Sequence, residues 1–322
     1  MDKILKIENL KVYYYTSSGI VKAVDDISFD LSKGETLGLV GESGCGKTTT
    51  GFALLGMPTP PGKIAGGNIF IENENIASFS EIELRRKIRW KKISMVFQGA
   101  MNCLTPVYTV GNLMLETLFQ HYPDFDKKEA YKKIIKYLNL VGLSDDIFGR
   151  YPHELSGGMK QRVVIAMALF LEPHIVILDE PTTGLDVVVQ AQILNLIKDL
   201  KQKINVASIF ITHDLATEAE IADRLCVMYG GKIMEIGLNE QIYGRNEGIH
   251  PYTEKLLKAT PLLHHKVDEL SFIPGTPPDL LNPPKGCRFY DRCHVRIDKC
   301  KDQEPPIKEV EKNHYIACWV RS

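Results

Sequence analysis

A short glycine-rich segment constrains this chain more than any other feature of the sequence. Residues 41–48 read GESGCGKT and fit the pattern G-x-x-x-x-G-K-[ST]. The apolar run at 36–40 just before them is typical of a buried parallel strand, and a helix is predicted to begin near Lys47. A strand, a glycine-rich loop and a helix in this order predict an α/β fold with a phosphate-binding loop.

The residue types in this loop suit the chemistry of a nucleoside triphosphate. Glycines allow backbone N–H groups to turn inward around phosphates, and the helix that follows points its positive end at the same anion. Lys47 is expected to reach the β- and γ-phosphates, and the Thr48 hydroxyl is expected to ligate Mg²⁺. The alternative is a glycine-rich turn that fits the pattern by chance. The predicted nucleotide-binding residues of the loop are Gly41, Ser43, Gly44, Cys45, Gly46, Lys47, Thr48 and Thr49.

Two carboxylates end a second apolar run. Residues 175–178 are predicted to form a buried strand, and Asp179 and Glu180 follow it directly. Asp179 is placed to hold Mg²⁺, and Glu180 is placed to orient and polarise an attacking water. A lone Asp-Glu pair after a strand is usually a solvated turn. Together with the phosphate loop upstream, the pair instead predicts hydrolysis of ATP, with Mg²⁺ as the metal.

A second anion site is predicted at residues 155–162, which read LSGGMKQR. Ser156 can cap a helix that begins around Gly158 and runs to about residue 171. Gly157 and Gly158 leave backbone N–H groups open to an anion, although a single chain offers no obvious anion there. The segment resembles the signature sequence of ABC ATPases. The resemblance implies head-to-tail pairing of two such domains, in which Ser156, Gly157, Gly158 and Gln161 act on the nucleotide of the partner domain.

Three shorter elements match the same family by their order and spacing. Gln98 ends a Val-Phe-Gln tripeptide that resembles the Q-loop, which implies contact with Mg²⁺ and the attacking water. Asp186 ends a Gly-Leu-Asp tripeptide that resembles the D-loop, which crosses the dimer interface. His213 lies in a Thr-His-Asp tripeptide that resembles the H-loop, which implies contact with the γ-phosphate. A single histidine after a strand is more often structural, but its place in this order favours the catalytic interpretation.

An aromatic side chain is expected to stack on the adenine ring. Tyr13, Tyr14 and Tyr15 are consecutive, and strand alternation places Tyr14 on the opposite face from its two neighbours. The family register favours Tyr14. The alternative is a strand that is simply rich in aromatic residues, so the choice among the three stays open.

The resemblance covers almost the whole chain. Residues 3–237 resemble an ABC nucleotide-binding domain, which implies a parallel-sheet core, an antiparallel β subdomain and a helical subdomain at about 81–170. Residues 51–57 resemble the first of the two ATP-binding subunits of dipeptide and oligopeptide importers. Gly99 and residues 102–104 depart from that family, in a region that faces its membrane subunits. The stretches similar to the importers are 41–44, 151–159, 186–190, 250–253, 273–278 and 286–289.

The resemblance implies coupling of ATP hydrolysis to peptide uptake, at the cytoplasmic face of a membrane. The implied partners are a second ATP-binding subunit, identical or different, two transmembrane permease subunits and an extracellular substrate-binding protein. The net charge of −1 gives no basic field for nucleic acid, and no apolar run reaches the about 18 residues of a membrane span. Import of oligosaccharides or nickel, and a non-transport ABC ATPase, are the alternatives.

Secondary structure outside the motifs is predicted from short apolar runs. Strands are expected at 4–10, 20–31 and 208–212, a hairpin at 225–234, and largely helical structure from about 81 to 170. The composition changes near 237–250, where prolines and cysteines become frequent. A domain boundary is predicted there, with residues 238–322 as a C-terminal extension.

Four cysteines in that extension have the spacing C-x₅-C-x₆-C-x₁₇-C: Cys287, Cys293, Cys300 and Cys318. The spacing is neither that of a zinc ribbon nor that of a ferredoxin, so by itself it leaves the metal open. The resemblance to peptide-importer subunits implies a [4Fe–4S] cluster with a structural role. Zinc, and free or disulfide-bonded thiols, are the alternatives.

Overall fold

The computed structural model describes residues 2–244, 249–259 and 273–322. The chain divides into two compact units, one formed by Met1–Phe79 with Ile209–Ser322, and one formed by Ser80–Ser208. The strands are β1 Lys3–Thr16, β2 Gly19–Ser32, β3 Thr36–Val40, β4 Gly62–Ile71, β5 Glu74–Asn75, β6 Ile93–Val96, β7 Ile175–Asp179, β8 Ala207–Ile211, β9 Arg224–Tyr229, β10 Lys232–Leu238, β11 Lys308–Glu311 and β12 His314–Ile316. The helices are α1 Lys47–Leu54, α2 Glu81–Glu83, α3 Val110–His121, α4 Lys127–Leu140, α5 Gly157–Leu169, α6 Val187–Ile204, α7 Leu215–Ile221, α8 Asn239–Tyr243, α9 Pro251–Lys258 and α10 Lys299–Asp302.

The first unit contains an antiparallel sheet with the strand order β2-β1-β4-β5. Leu5, Ile7, Leu10 and Val12 of β1 are buried, whereas Lys6 between them is exposed, as expected for a sheet with one face in the core. The strands predicted at 4–10 and 20–31 are confirmed and are longer than expected. The prediction missed β4, which carries three glycines among its ten residues and lacks a clear alternation.

In the second sheet, five strands of this unit follow one another in the order β11-β12-β10-β9-β3. β3 pairs with β9 in parallel, and β10 pairs antiparallel with β9 and with β12. All five residues of β3 are buried, which explains its continuous apolar run. The hairpin predicted at 225–234 is confirmed by the register of β9 and β10, in which Lys232 faces Tyr229.

The second unit combines α2 to α6 with the parallel strands β6 and β7, in which Ile93 pairs with Ile175. Each of its longer helices begins at a polar cap: Thr109 caps α3, Asp126 caps α4, Ser156 caps α5 and Asp186 caps α6. The prediction of a largely helical 81–170 missed β6. This strand is only four residues long, and all four are buried. Within the described ranges, no helix combines the length and apolar character needed to cross a bilayer.

The C-terminal residues belong to the same compact unit as the N-terminal residues. β12 extends the second sheet, where Ile316 pairs with Glu235 of β10. The Glu235 carboxylate is completely buried and lies 2.7 Å from Nε2 of His314, which is buried as well. It also accepts the backbone N–H of His250 at 3.0 Å. The boundary near 237–250 is defined by composition alone and stays a prediction.

Glu235→Ala is expected to destabilise the first unit, because two buried donors lose their acceptor. Each unsatisfied group is expected to lower the free energy of unfolding by about 1–3 kcal/mol. Denaturant unfolding of the full chain measures this, with Glu240→Ala on α8 as the matched control. Equal midpoints for the two variants would contradict the assignment.

Candidate nucleotide-binding site

The phosphate loop joins β3 to α1 in the first unit. Gly41, Gly44 and Gly46 have positive φ angles of 149°, 78° and 105°, in the region that favours glycine. A Cβ atom at Gly41 would overlap the carbonyl oxygen of Met228, and one at Gly46 would overlap the carbonyl oxygen of Ala23. The loop therefore lies directly against neighbouring backbone, and α1 starts at Lys47 as predicted.

Lys47 is buried, and its ammonium lies over its own loop. Nζ donates to the carbonyl oxygens of Gly41 at 2.6 Å and Glu42 at 3.1 Å, and lies 3.7 Å from Sγ of Cys45. Burial raises the pKa of the Cys45 thiol, and the nearby Lys47 charge lowers it in part. Cys45 thus stays protonated and packs as a small buried side chain, while Ser43, Gly44 and Thr48 are exposed.

The three consecutive tyrosines have different environments. The Tyr13 hydroxyl donates to Asp25 at 2.6 Å, and burial with that hydrogen bond raises its pKa. The Tyr14 hydroxyl lies 3.2 Å from Oγ1 of Thr49, next to the phosphate loop. Tyr15 is exposed, with Nζ of Lys63 5.9 Å from its ring centroid. Of the three, Tyr14 is the one in contact with the phosphate-loop region, and its stacking on adenine stays a prediction.

The carboxylate pair lies in the second unit, at the end of β7. Asp179 is buried, and Glu180 has a left-handed backbone with φ 46°. Such a conformation is uncommon for a residue with a Cβ atom and concentrates at functional sites. One oxygen of Glu180 accepts from Nε2 of Gln98 at 2.7 Å and from the Thr183 hydroxyl at 2.9 Å. The structure therefore brings Gln98 and Glu180 together, and adds Thr183, which the motifs did not indicate.

The signature segment forms the start of α5. Ser156 caps this helix and accepts the backbone N–H of Met159 at 3.3 Å. Ser156 and Gly157 are exposed, whereas Gln161 is buried. A Cβ atom on Gly158 would lie 2.7 Å from Cγ1 of Val189, so the glycine also allows close packing against α6. The positive end of α5 is open at the surface of this unit.

Asp186 and His213 occupy the ends of elements. Asp186 caps α6, where its carboxylate accepts the backbone N–H of Val189 at 3.0 Å. The next two residues, Val187 and Val188, are 79% and 68% exposed, which is unusual for apolar side chains at a helix start. His213 is exposed just after β8, and Asp214 caps α7. The catalytic and interface roles of Asp186 and His213 stay predictions.

Comparison with known proteins decides the family. The ABC transporter model matches residues 24–183, and the model of the oligopeptide/dipeptide transporter C-terminal region matches residues 234–300. The chain is 45% identical to the dipeptide transport ATP-binding protein DppD of Bacillus subtilis (strain 168), over 100% of this chain and 96% of that protein. It is 43% identical to the oligopeptide transport ATP-binding protein OppD of Escherichia coli (strain K12), over 99% and 93%. The chain belongs to the ABC transporter ATP-binding proteins of the dipeptide and oligopeptide group.

Solved structures agree with this family and confirm the predicted α/β fold class. The dimeric bacterial ABC transporter cassette MJ0796 has a TM-score of 0.63 and 27% identity, over 73% of this chain and 98% of that chain. The cbiO1 protein of Clostridium perfringens, part of the ABC transporter complex cbiONQ, has a TM-score of 0.65 and 28% identity, over 77% and 93%. A further MJ0796 structure is a post-hydrolysis state bound to ADP and Pi.

The four C-terminal cysteines of this ABC protein give no support to the predicted metal site. Among residues 2–244, 249–259 and 273–322, no group of three or more His, Cys, Asp or Glu side chains is placed to hold a metal ion. Burial raises the pKa of the Cys287 thiol to about 12. Burial raises the pKa of Cys293 as well. Cys287 and Cys300 pack in an apolar cluster with Tyr252 and Phe289.

Glu180→Gln is expected to lower the ATPase rate by about 10²–10⁴-fold, the usual loss when a general base is removed. ATP binding is expected to persist, because the amide keeps the shape of the side chain. Steady-state turnover and nucleotide affinity of the full chain measure the two effects. The exposed Glu116→Gln on α3 is the control, and turnover of Glu180→Gln at the control rate would contradict the role.

Proposed function

We propose that this chain binds and hydrolyses Mg²⁺–ATP and couples hydrolysis to uptake of di- and oligopeptides through membrane subunits. The observation that carries the proposal is the pairing of Gln98 with Glu180, in an ABC protein that also has a complete phosphate loop. Glu180 takes a proton from the attacking water, and Gln98 and Thr183 orient its carboxylate. Lys47 binds the β- and γ-phosphates, and His213 contacts the γ-phosphate.

Mg²⁺ would be held by Thr48, Gln98 and Asp179. Hydroxyl, amide and carboxylate oxygens are the ligands this ion prefers, and Mg²⁺ usually completes its shell with phosphate oxygens and water. The bound ion would supply charge neutralisation for the γ-phosphoryl group. The residues of the chain supply the orientation of the water and the nucleotide.

The start of α5 is proposed to act on the nucleotide of a second ATP-binding subunit. Its N-terminus is capped by Ser156, and both Ser156 and Gly157 are exposed. A helix N-terminus of this kind can bind an anion, and the proposed anion is the nucleotide phosphate of the partner subunit. Val187 and Val188, which follow Asp186, are exposed apolar side chains. Such side chains favour contact with another protein at this surface. Both features support a dimer in which this chain completes the site of its partner.

Membrane permease subunits are the proposed partners of the region after Gln98. Val107 and Tyr108 are 69% and 50% exposed, in a segment between β6 and α3. An exposed apolar pair of this kind is typical of a contact surface. The chain is accordingly proposed to lie peripherally at the cytoplasmic face of the membrane, with an extracellular binding protein delivering substrate on the other side.

Peptides are the proposed substrate because the named relatives are dipeptide and oligopeptide transport proteins. Oligosaccharides and nickel remain alternatives, since the permeases and the binding protein select the solute. ATPase activity of the reconstituted transporter discriminates among them. Stimulation by short peptides supports the proposal, and stimulation only by an oligosaccharide or Ni²⁺ contradicts it.

The isolated chain is expected to be a slow ATPase whose specific activity rises when a second ATP-binding subunit is added. In that complex, Ser156→Arg is expected to lower turnover while this chain keeps its own nucleotide affinity, because Ser156 acts on the partner's nucleotide. The exposed Ser144→Arg, before the short turn at 145–149, is the matched control. Full, concentration-independent activity of the monomer would rule out a composite site.

A [4Fe–4S] cluster on Cys287, Cys293, Cys300 and Cys318 stays a prediction, with zinc as the alternative. What supports it is that Cys287 and Cys300 lie in one buried cluster with Cys293 packed against it, and that the backbone N–H of Cys287 donates to the carbonyl oxygen of Cys300 at 2.8 Å. No step of ATP hydrolysis is assigned to the metal.

Anaerobic purification followed by metal analysis tests the cluster. About four irons per chain with broad visible absorption are expected, by the stoichiometry of such clusters. Cys293→Ser is expected to lose the iron, whereas Cys103→Ser, an exposed cysteine of the second unit, is expected to keep any that is present. A colourless protein with one zinc or with no metal would show the prediction to be wrong.

A further inference from the structure

The backbone and side chain of Glu42, the second residue of the phosphate loop, are held from several directions. Its backbone N–H donates to the Tyr252 hydroxyl at 2.9 Å. Its carboxylate accepts from Nη1 of Arg292 at 2.6 Å and from Nη2 at 2.9 Å. Its carbonyl oxygen accepts from Nζ of Lys47 at 3.1 Å and from the backbone N–H of Cys45 at 3.2 Å. Two of these four partners, Tyr252 and Arg292, come from the C-terminal part of the chain.

The guanidinium of Arg292 makes several further hydrogen bonds. Besides its two bonds to Glu42, Nη1 donates to the Tyr229 hydroxyl at 3.1 Å. Nε donates to the carbonyl oxygen of Pro274 at 2.9 Å, and Nη2 donates to that of Ile273 at 3.1 Å. These bonds use all five N–H groups of the guanidinium, and its side chain is 5% exposed. A lysine could not reproduce this planar fork, so the position is built for arginine.

Tyr252 is fixed in a similar way. It is fully buried, and its ring centroid lies 4.6 Å from that of Tyr229 and 5.3 Å from that of Phe289. The guanidinium carbon of Arg292 lies 5.5 Å from the Tyr229 centroid, so the same aromatic cluster supports both anchors. Tyr229 follows Met228 in β9, and the carbonyl oxygen of Met228 is the backbone group that Gly41 packs against.

We propose that Arg292 and Tyr252 are positioning residues of the phosphate loop, and that the C-terminal segment thereby sets the nucleotide affinity of its own chain. Lys47, the phosphate-binding lysine, donates to the carbonyl oxygens of Gly41 and Glu42. The position of Glu42 therefore decides where the ammonium lies. Ser43 and Gly44, at the tip of the loop, are exposed, and Glu42 is one of the residues next to this tip that the rest of the unit holds in place.

The physical reason is preorganisation. A loop that is already ordered loses less conformational entropy when it binds phosphate, and this saving appears as affinity. The carboxylate of Glu42 is also neutralised by Arg292, which removes a negative charge that would otherwise oppose the phosphates at this loop. Loss of either anchor is expected to weaken ATP binding even when the chain stays folded.

The test uses the full-length chain and a fluorescent ATP analogue, and it rests on the proposed function of the phosphate loop. Tyr252→Phe removes the hydroxyl and keeps the ring packing. It is expected to weaken nucleotide binding by about two- to tenfold, the equivalent of one net hydrogen bond. Arg292→Lys keeps the charge and loses the fork, and is expected to weaken binding at least about tenfold. The matched control is Arg296→Lys. Arg296 is exposed, donates a hydrogen bond to the Asp291 carbonyl oxygen and lies 5.3 Å from the Tyr290 ring centroid, and neither of these contacts involves the phosphate loop.

A purely structural role predicts a different result. Melting temperature without nucleotide would fall in Tyr252→Phe and Arg292→Lys, but the affinity of the folded protein would equal that of the wild type. That outcome overturns the proposal, and Tyr252→Phe alone decides it if Arg292→Lys does not fold. Lys47→Ala tests the phosphate-loop assignment separately from the roles of Arg292 and Tyr252. If it binds the analogue as tightly as the wild type, the phosphate-loop assignment fails, and the proposal fails with it.

Discussion

The seating of the phosphate loop against neighbouring backbone is the contact on which the rest of the first unit depends. Gly41 and Gly46 lie so close to the carbonyl oxygens of Met228 and Ala23 that no side chain fits at either position. This proximity fixes where α1 begins and therefore where Lys47 points. Because β9 supplies the Met228 carbonyl and its next residue, Tyr229, supports Arg292, one strand positions both the loop and its C-terminal support.

Polar N-cap residues are a second feature that recurs in this structure. α5 and α6 each begin at a side chain that accepts a backbone N–H, and both caps fall within family motifs. A cap residue orients the positive end of a helix and at the same time satisfies it. At α5 the cap residue Ser156 and the following Gly157 are exposed. At α6 the carboxylate of Asp186 is used by its own helix.

The C-terminal residues are integrated into the first unit through buried polar contacts rather than through apolar packing alone. Glu235 with His314, Asp25 with Arg288, and Glu42 with Arg292 each join this segment to an earlier part of the chain. Two of these contacts, Asp25 with Arg288 and Glu42 with Arg292, are ion pairs. Ion pairs taken out of water contribute little net stability because desolvation offsets their attraction, yet loss of one partner is strongly unfavourable.

The amino-acid sequence by itself determined the local features: the strand, loop and helix around Lys47, the apolar strand before Asp179 and Glu180, and the capped helix after Ser156. These local features depend on residue types at short spacing along the chain, so a sequence motif is enough to predict them. Only the tertiary structure decided which groups far apart in sequence are in contact.

Tyr13 bonds to Asp25, whereas Tyr14 contacts the phosphate-loop region. Gln98 reaches Glu180 across 82 residues, and Arg292 reaches Glu42 across 250. The metal site that the family resemblance implied for the four C-terminal cysteines finds no support among the side chains that the structure describes. Spacing along the chain does not fix such contacts, because they depend on how strands far apart in sequence are paired and on the side chains already buried between them.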